Sequence, residues 1–339
     1  MKPRFALLLV ILLAPVVLRA QTKSGTSAAG FLEIPVGARG ISLGSAFVSL
    51  ADDATSLYWN PSGIAHLQQN EAHVSHTNWI AGTSLDFAGL VLAIPSFGSL
   101  GFSFTELSMG DMKVRTVELP EGTGEYFSAS DLAIGVSYAR SLSDRFAIGF
   151  TGKYIQETIW HESANAVAID IGTSFRTDLF GGMIIGASMS NFGSSLRLAG
   201  RDAREFIRLD PTKEGTTDQI PTDVEFDSWN LPLLFQIGVS AVPVKSDDFS
   251  LTVAVDALHP SDYIETVNAG AELSYRGYLY LRGGYNSIRD TDAEGGLSLG
   301  FGVTSAMFSS SSTKVTFDYA YRDMGRLENI QVISLGVSF

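Results

Sequence analysis

From residue 70 onward the chain alternates apolar side chains with small or polar ones, in segments of about ten to fifteen residues separated by turn-forming clusters. Fourteen such segments fall at roughly 70–79, 84–94, 97–107, 128–140, 144–157, 165–177, 183–192, 231–244, 249–258, 263–275, 278–287, 295–307, 313–323 and 328–339. Three are especially clean. Leu132, Ile134, Val136 and Tyr138 oppose Ala133, Gly135, Ser137 and Ala139; Phe249, Leu251, Val253 and Val255 oppose Ser250, Thr252, Ala254 and Asp256; Val315, Phe317, Tyr319 and Tyr321 oppose Thr316, Asp318, Ala320 and Arg322. The last segment puts Ile333, Leu335, Val337 and Phe339 on one face and Ser334, Gly336 and Ser338 on the other. One face is aliphatic with aromatics near its ends, and the other is small, polar or charged. This is how a strand reads when it faces hydrocarbon on one side and an aqueous or packed lumen on the other.

A soluble β-sandwich gives the same alternation, so period two alone does not choose a membrane. The links between segments do discriminate. On one side they are 95–96, 141–143, 178–182, 245–248, 276–277 and 308–312, all short; the other side carries 108–127, 158–164, 193–230 and 288–294. Short turns on one rim and long loops on the other are the habit of outer-membrane barrels. The pattern therefore predicts an all-β fold, a transmembrane antiparallel β-barrel of about 14 strands. So many strands enclose more space than wall side chains fill, and residues 25–69, which do not alternate, are of a size to plug it. They carry an expected short helix around Ile41–Leu50. At the very start, Lys2 and Arg4, an apolar run from Phe5 to Leu18 broken by Pro15, and Ala20 read as a secretory signal peptide. The expected organisation is a signal peptide at 1–20, a hatch at 21–69 and an outer-membrane barrel at 70–339, with both termini periplasmic.

Composition narrows the chemistry. The 339 residues include no cysteine, which removes disulfides, thiol catalysis and cysteine-ligated metals. A formal charge of −13 argues against nucleic acid or anionic headgroups as partners. Five histidines are scattered, and His73 and His76, three apart on a strand, point to opposite faces and cannot share a metal. Asp290, Asp292 and Glu294 read as a solvated acidic loop rather than a calcium loop. With no nucleophile elbow, phosphate-binding loop or dinucleotide fingerprint, no enzymatic activity, cofactor or metal is expected.

The run GARGISLGSAFVSLADDATSLYWNPSGIAHL, Gly37 to Leu67, closely resembles the N-terminal signature of the PorV/PorQ family, itself related to FadL-type fatty-acid transporters. In both groups an acidic pair followed by Asn-Pro-Ala/Ser-Gly lies in an N-terminal hatch. The resemblance implies a fourteen-stranded barrel with that segment in its lumen. PorV-like members are implied to serve type IX secretion, binding secreted proteins with a C-terminal β-domain signal, or translocon subunits. FadL-like members instead pass long-chain fatty acids or other hydrophobic compounds, and so would need a contiguous apolar pocket of several hundred Å³, on the order of the usual ligand site. The partners expected on this reading are outer-membrane lipid, secretion proteins or a hydrophobic ligand.

The residues themselves read as follows. Asp52, Asp53, Tyr58, Trp59, Asn60, Pro61 and Gly63 form the hatch motif, either a tight turn locking hatch to wall or a gate. Asn60 before proline favours extended backbone, Pro61 opens a short helix, and Gly63 tolerates close approach. Asp52 and Asp53 are expected to bond hatch amides or to pair with Arg282 or Arg322. The lumenal charges Asp170, Arg176, Asp256, Arg282, Asp318 and Arg322 are expected to form hydrogen-bonded pairs. The 193–230 loop mixes many charges with a few apolar side chains, and Arg201, Arg204, Phe206, Arg208 and Trp229 are its candidate partner-binding residues; a lid over the barrel mouth is the plainer alternative.

Overall fold

The computed structural model describes residues 25–179, 182–207, 220–288, 290, 293, 295–307 and 312–339. The signal-peptide assignment, Arg208, and Asp292 and Glu294 lie outside the described residues. Fourteen long strands close into one antiparallel barrel. They are β1 (Glu71–Asn78), β2 (Thr83–Ile94), β3 (Gly98–Met109), β4 (Ala129–Ser141), β5 (Phe146–Ile159), β6 (Glu162–Thr177) and β7 (Met183–Gly193). The second half supplies β8 (Leu234–Lys245), β9 (Phe249–Pro260), β10 (Thr266–Tyr275), β11 (Leu279–Tyr285), β12 (Leu297–Thr304), β13 (Lys314–Asp323) and β14 (Asn329–Ser338). Each coincides with one of the fourteen alternating segments. Closure is between β1 and β14, in register from Glu71↔Ser338 to Asn78↔Gln331. Asn70 and Phe339 extend that ladder, exchanging backbone hydrogen bonds of 3.1 and 2.9 Å. We call their end the terminal rim and the other the loop rim.

The alternation is realised as expected. Ile333 and Leu335 of β14 are 50% and 41% exposed on the outer face, while Ser334 between them is buried at 1%. Three links differ from a plain strand–loop–strand reading. Residues 158–164 are not a longer loop: β5 and β6 run on to leave only Trp160 and His161 between them, with Trp160 in the left-handed region at φ 51°. The two longest loops also hold pairings of their own, Met112–Lys113 with Tyr126–Phe127 and Arg204–Ile207 with Ile220–Asp223. A bulge between Ile169 and Ile171 lets β6 run past the point where β7 gives way to the long excursion. There Asp170 accepts from the Asn191 amide at 2.8 Å and pairs with Lys153 at 2.9 Å.

Residues 25–69 run lengthwise through the lumen. At the loop rim Ser27 bonds Asp262, the Ala28 amide donates to Asn230 O at 2.9 Å, and the Ala29 amide donates to Glu157 at 2.8 Å. The segment leaves at the terminal rim through Asn70. Its helical pieces are short: Gly30–Glu33, Ala38–Ser42, Ser56–Trp59 and Pro61–His66. The helix expected at Ile41–Leu50 is instead Ala38–Ser42, because Gly44 and Ser45 follow at φ 64° and 63°, a left-handed stop that regular helix cannot pass. Phe47, Ile41, Leu43 and Ile64 are completely buried.

The wall has bare patches where this backbone lies. A Cβ on Gly172 would come within 2.1 Å of Asn60 Oδ1, and one on Gly284 within 2.1 Å of the Leu43 carbonyl carbon. The small inward residues of the strands therefore serve as seats for the hatch, side chain at Gly172 and main chain at Gly284, and the wide lumen is filled by chain rather than left as a channel.

Candidate functional site: the hatch and the loop rim

Asn60 is the hinge of the hatch motif. It sits extended at φ −164° ahead of Pro61 and caps the 3-10 turn Pro61–His66, its Oδ1 accepting from Ser62 N at 3.2 Å and Ser62 Oγ at 2.8 Å. Its Nδ2 donates to Val48 O within the hatch at 2.8 Å and to Thr173 O of the wall at 3.1 Å. All four bonds are made by a side chain that is 1% exposed. Gly63 is fixed by space: a Cβ there would meet Ala51 O at 2.1 Å. Trp59 donates from Nε1 to Val36 O at 3.1 Å and packs edge-on to Phe47 and Tyr58.

The acidic pair is neutralised from inside the hatch, by a residue the sequence did not single out. Arg39 Nη1 reaches Asp52 at 2.5 Å and Asp53 at 3.2 Å, and its Nε reaches Glu272 of β10 at 3.1 Å. Arg282 and Arg322, the partners expected for Asp52 and Asp53, do not pair with either. Arg282 bonds Glu272 at 2.7 Å and Asp318 at 2.6 Å, so wall and hatch share one chain of alternating charges. The physical reason is reach: Arg39 lies one helix away on the same compact segment, whereas Arg282 is held by two carboxylates of its own wall. Asp53 additionally accepts from the Thr55 amide at 2.9 Å, as expected of an acid bonding hatch backbone. Of the other lumenal charges, Asp256 accepts from the Val48 amide at 2.8 Å, and Asp170 has its lysine.

His66 closes the motif against Ser174 of β6, Nε2 to Oγ 2.8 Å. Burial first and the Arg176 charge second push its pKa down to about 4, so the ring is neutral near pH 7. At the other end Glu33 is pushed up to about 7 by burial and then by the neighbouring Asp262. Between hatch and wall lie a cavity of ≈ 30 Å³ beside Leu57, Tyr58 and Lys153, and one of ≈ 200 Å³ beneath the loop rim that touches Glu33, Tyr58 and Arg322. A polar recess of ≈ 270 Å³ opens around Arg39 and Arg282 near the terminal rim. The apolar hatch residues Phe31, Leu43, Phe47, Leu57 and Trp59 are buried in packing.

At the loop rim the candidate residues fall into three settings. Arg204 and Phe206 share the strand Arg204–Ile207, where Arg204 pairs with Asp223 at 3.3 Å and Phe206 stands 62% exposed. Arg201 turns instead to His161 and its neighbour Asp202. Trp229 is tied through backbone to Leu196 at 2.8 Å in both directions, and its ring is 46% exposed. Near them Val224 and Phe226 are also exposed, while Arg197 pairs with Glu225.

A family model described as type IX secretion system protein PorV matches residues 18–203, more than half of the chain. No curated protein matches the sequence. Among solved structures, the monoaromatic hydrocarbon channel CymD superposes with a TM-score of 0.53 at 12% identity, over 90% of this chain and 97% of that one. The toluene transporter TbuX of Ralstonia pickettii gives 0.53 at 10% identity with the same coverage, 90% and 97%. A FadL homologue of Pseudomonas aeruginosa gives 0.51 at 12% identity, over 90% and 98%. At such identities the likeness is one of fold.

Proposed function

The chain belongs to the PorV family of type IX secretion system proteins, and from that premise we propose that this outer-membrane barrel works by binding secreted cargo or translocon subunits at its loop rim. The observation that carries this reading is the apolar group Phe206, Phe226 and Trp229 standing exposed on a loop laced by the ion pairs Arg204–Asp223 and Arg197–Glu225. Aromatic anchors ringed by charge are the usual make-up of a protein-docking surface. The hatch motif, Asp52 to Gly63, then acts as a lock that keeps the lumen closed while the rim binds.

Transport of a hydrophobic compound is the second reading, and the FadL-like fold is what favours it. Fold does not carry function by itself; the cavities of ≈ 30 and 200 Å³ deeper between hatch and wall are smaller than the usual ligand pocket of roughly 300–1,000 Å³, and the recess of ≈ 360 Å³ by Ala65, Leu67 and Gln68 at the terminal rim is lined in part by Ser96, Ser99, Arg140 and Ser141 rather than being contiguously apolar.

The test is recovery of the tagged protein from mildly solubilised outer membranes, with mass spectrometry of co-purifying proteins and extractable lipids. Exported proteins sharing a C-terminal β-domain, or secretion subunits, recovered with the native chain and lost with F206A/W229A, is the result expected. A stoichiometric apolar ligand without protein partners overturns it in favour of transport.

A further inference from the structure

The ≈ 200 Å³ cavity beneath the loop rim holds charges of both signs that do not meet. On the wall side is Arg322 of β13. Its Nη2 donates to the Asn286 side-chain oxygen at 2.5 Å, while its Nε is buried with no partner. No carboxylate pairs with it among the described residues. On the hatch side is Glu33; Asp262, on the link between β9 and β10, raises the negative potential there without lining the cavity. Asp262 is 9% exposed; one of its oxygens accepts from Ser27 and the other is buried without a partner. No cation pairs with either acid among the described residues.

Unpaired charge in a desolvated lumen is costly. A single direct Arg322–Glu33 pair would remove the cost, and the fold does not make it. Tyr58 lines the cavity within electrostatic reach of both Glu33 and Arg322, and Gln236 and Asn268 line the same space. The arrangement is complementary to a molecule with one positive and one negative group held apart. From this we infer that the cavity is a binding site for a small zwitterion bearing an ammonium and a carboxylate, of the amino-acid or dipeptide class, with the carboxylate on Arg322 and the ammonium on Glu33. The volume of ≈ 200 Å³, below the roughly 300–1,000 Å³ of a drug-sized pocket, suits so small a molecule. A guanidinium with free N–H groups matches a carboxylate in a planar fork. Glu33 attracts an ammonium, with the Asp262 charge nearby adding to the negative potential, and Leu258 and Ile264 offer an apolar flank to a small side chain. This inference does not depend on the cargo-binding reading.

The test uses the full chain in detergent at pH 8, where Glu33 is ionised, titrated calorimetrically with the dipeptide Ala-Ala. Saturable binding is expected. On the unmodified protein, N-acetyl-Ala-Ala and Ala-Ala-amide, each lacking one charge, should bind at least tenfold more weakly, a comparison that needs no variant to fold. R322Q and E33Q, checked for barrel closure by circular dichroism, should each weaken Ala-Ala by a similar factor. Absence of saturable binding by Ala-Ala overturns the site, and so does equal binding of either blocked dipeptide. Tighter binding of phosphoethanolamine than of Ala-Ala overturns the assignment in favour of a lipid headgroup.

Discussion

The Arg39 guanidinium of the hatch meets the Glu272 carboxylate of the wall at 3.1 Å, and Arg282 holds the same carboxylate at 2.7 Å. The two pairs differ in surroundings. Arg282, Glu272 and Asp318 side chains are at most 7% exposed, whereas Asp52, the outermost member, is 56% exposed and contributes little to stability. Removing Arg39 leaves Glu272 with Arg282 but takes the cation from Asp52 and Asp53 and cuts the ionic tie between hatch and wall. Arg39→Gln is therefore expected to loosen the hatch, seen as faster proteolysis between Gly37 and Leu67, while the barrel keeps its β-sheet circular dichroism. Asp52→Asn should be close to neutral in the same assay.

Asn60 makes four hydrogen bonds with one side chain, two of them to carbonyls on different parts of the molecule. Asn60→Ala strands buried groups and should cost about 1–3 kcal/mol. Asn60→Asp replaces the Nδ2 donor with an acceptor facing Val48 O and Thr173 O, and should cost at least as much. Denaturant titration monitored by the fluorescence of the adjacent Trp59 reads both, and a native-like midpoint for Asn60→Asp would refute the role.

The seats in the wall are as specific as the hatch itself. Alanine at Gly172 pushes into the Asn60 and Pro61 side chains, and alanine at Gly284 into hatch main chain, an overpacking worth about 1–3 kcal/mol. Gly152→Ala is the control, since a Cβ there meets nothing within 4 Å. Unfolding midpoints lowered for the first two and unchanged for the third are expected.

Glu33 gives the hatch a pH response with a definite sign. Its pKa rises from 4.5 to about 7 on folding, so the folded state binds the extra proton. Its contribution is therefore full below pH 4.5 and is lost as pH rises through 7. His66 runs the other way, its pKa falling from 6.5 to about 4, so its contribution is lost as pH drops from 6.5 toward 4. The two partly cancel in the native protein, and Glu33→Gln should separate them. Protease resistance of the hatch in the variant should exceed that of wild type progressively from pH 5 to 8, and parallel curves would exclude the effect.

Phe206 and Trp229 are exposed, so truncation should leave the barrel within about 0.5 kcal/mol of its native stability. If they anchor a protein partner, each Phe206→Ala or Trp229→Ala change should lower partner recovery by roughly tenfold or more, the scale of a binding hot spot. Equal recovery would move the interface elsewhere on the rim.

The barrel was legible because a membrane wall imposes period two on every strand: each of the fourteen segments carries its own record of which side faces lipid, needing no long-range information. The terminal alternation from Ile333 to Phe339 identifies faces that the folded β14 then shows, whereas Ile330 and Val332, equally apolar, turn inward and are fully buried. The hatch signature, Gly37 to Leu67, was equally plain as a motif, and Asn60-Pro61 wrote its local turn. What the sequence did not contain was partnership. That Arg39 rather than Arg282 serves Asp52 and Asp53, that Glu272 ties hatch to wall, and that Gly172 faces Asn60 depend on how a thread of irregular chain settles inside the closed cylinder. The same holds for Glu33 and Arg322, nearly three hundred positions apart in number and brought to one cavity. Alternation fixes the side a residue faces; the depth and angle at which the hatch enters fix its neighbour. Those are decided only when burial, charge pairing and steric seats are satisfied together.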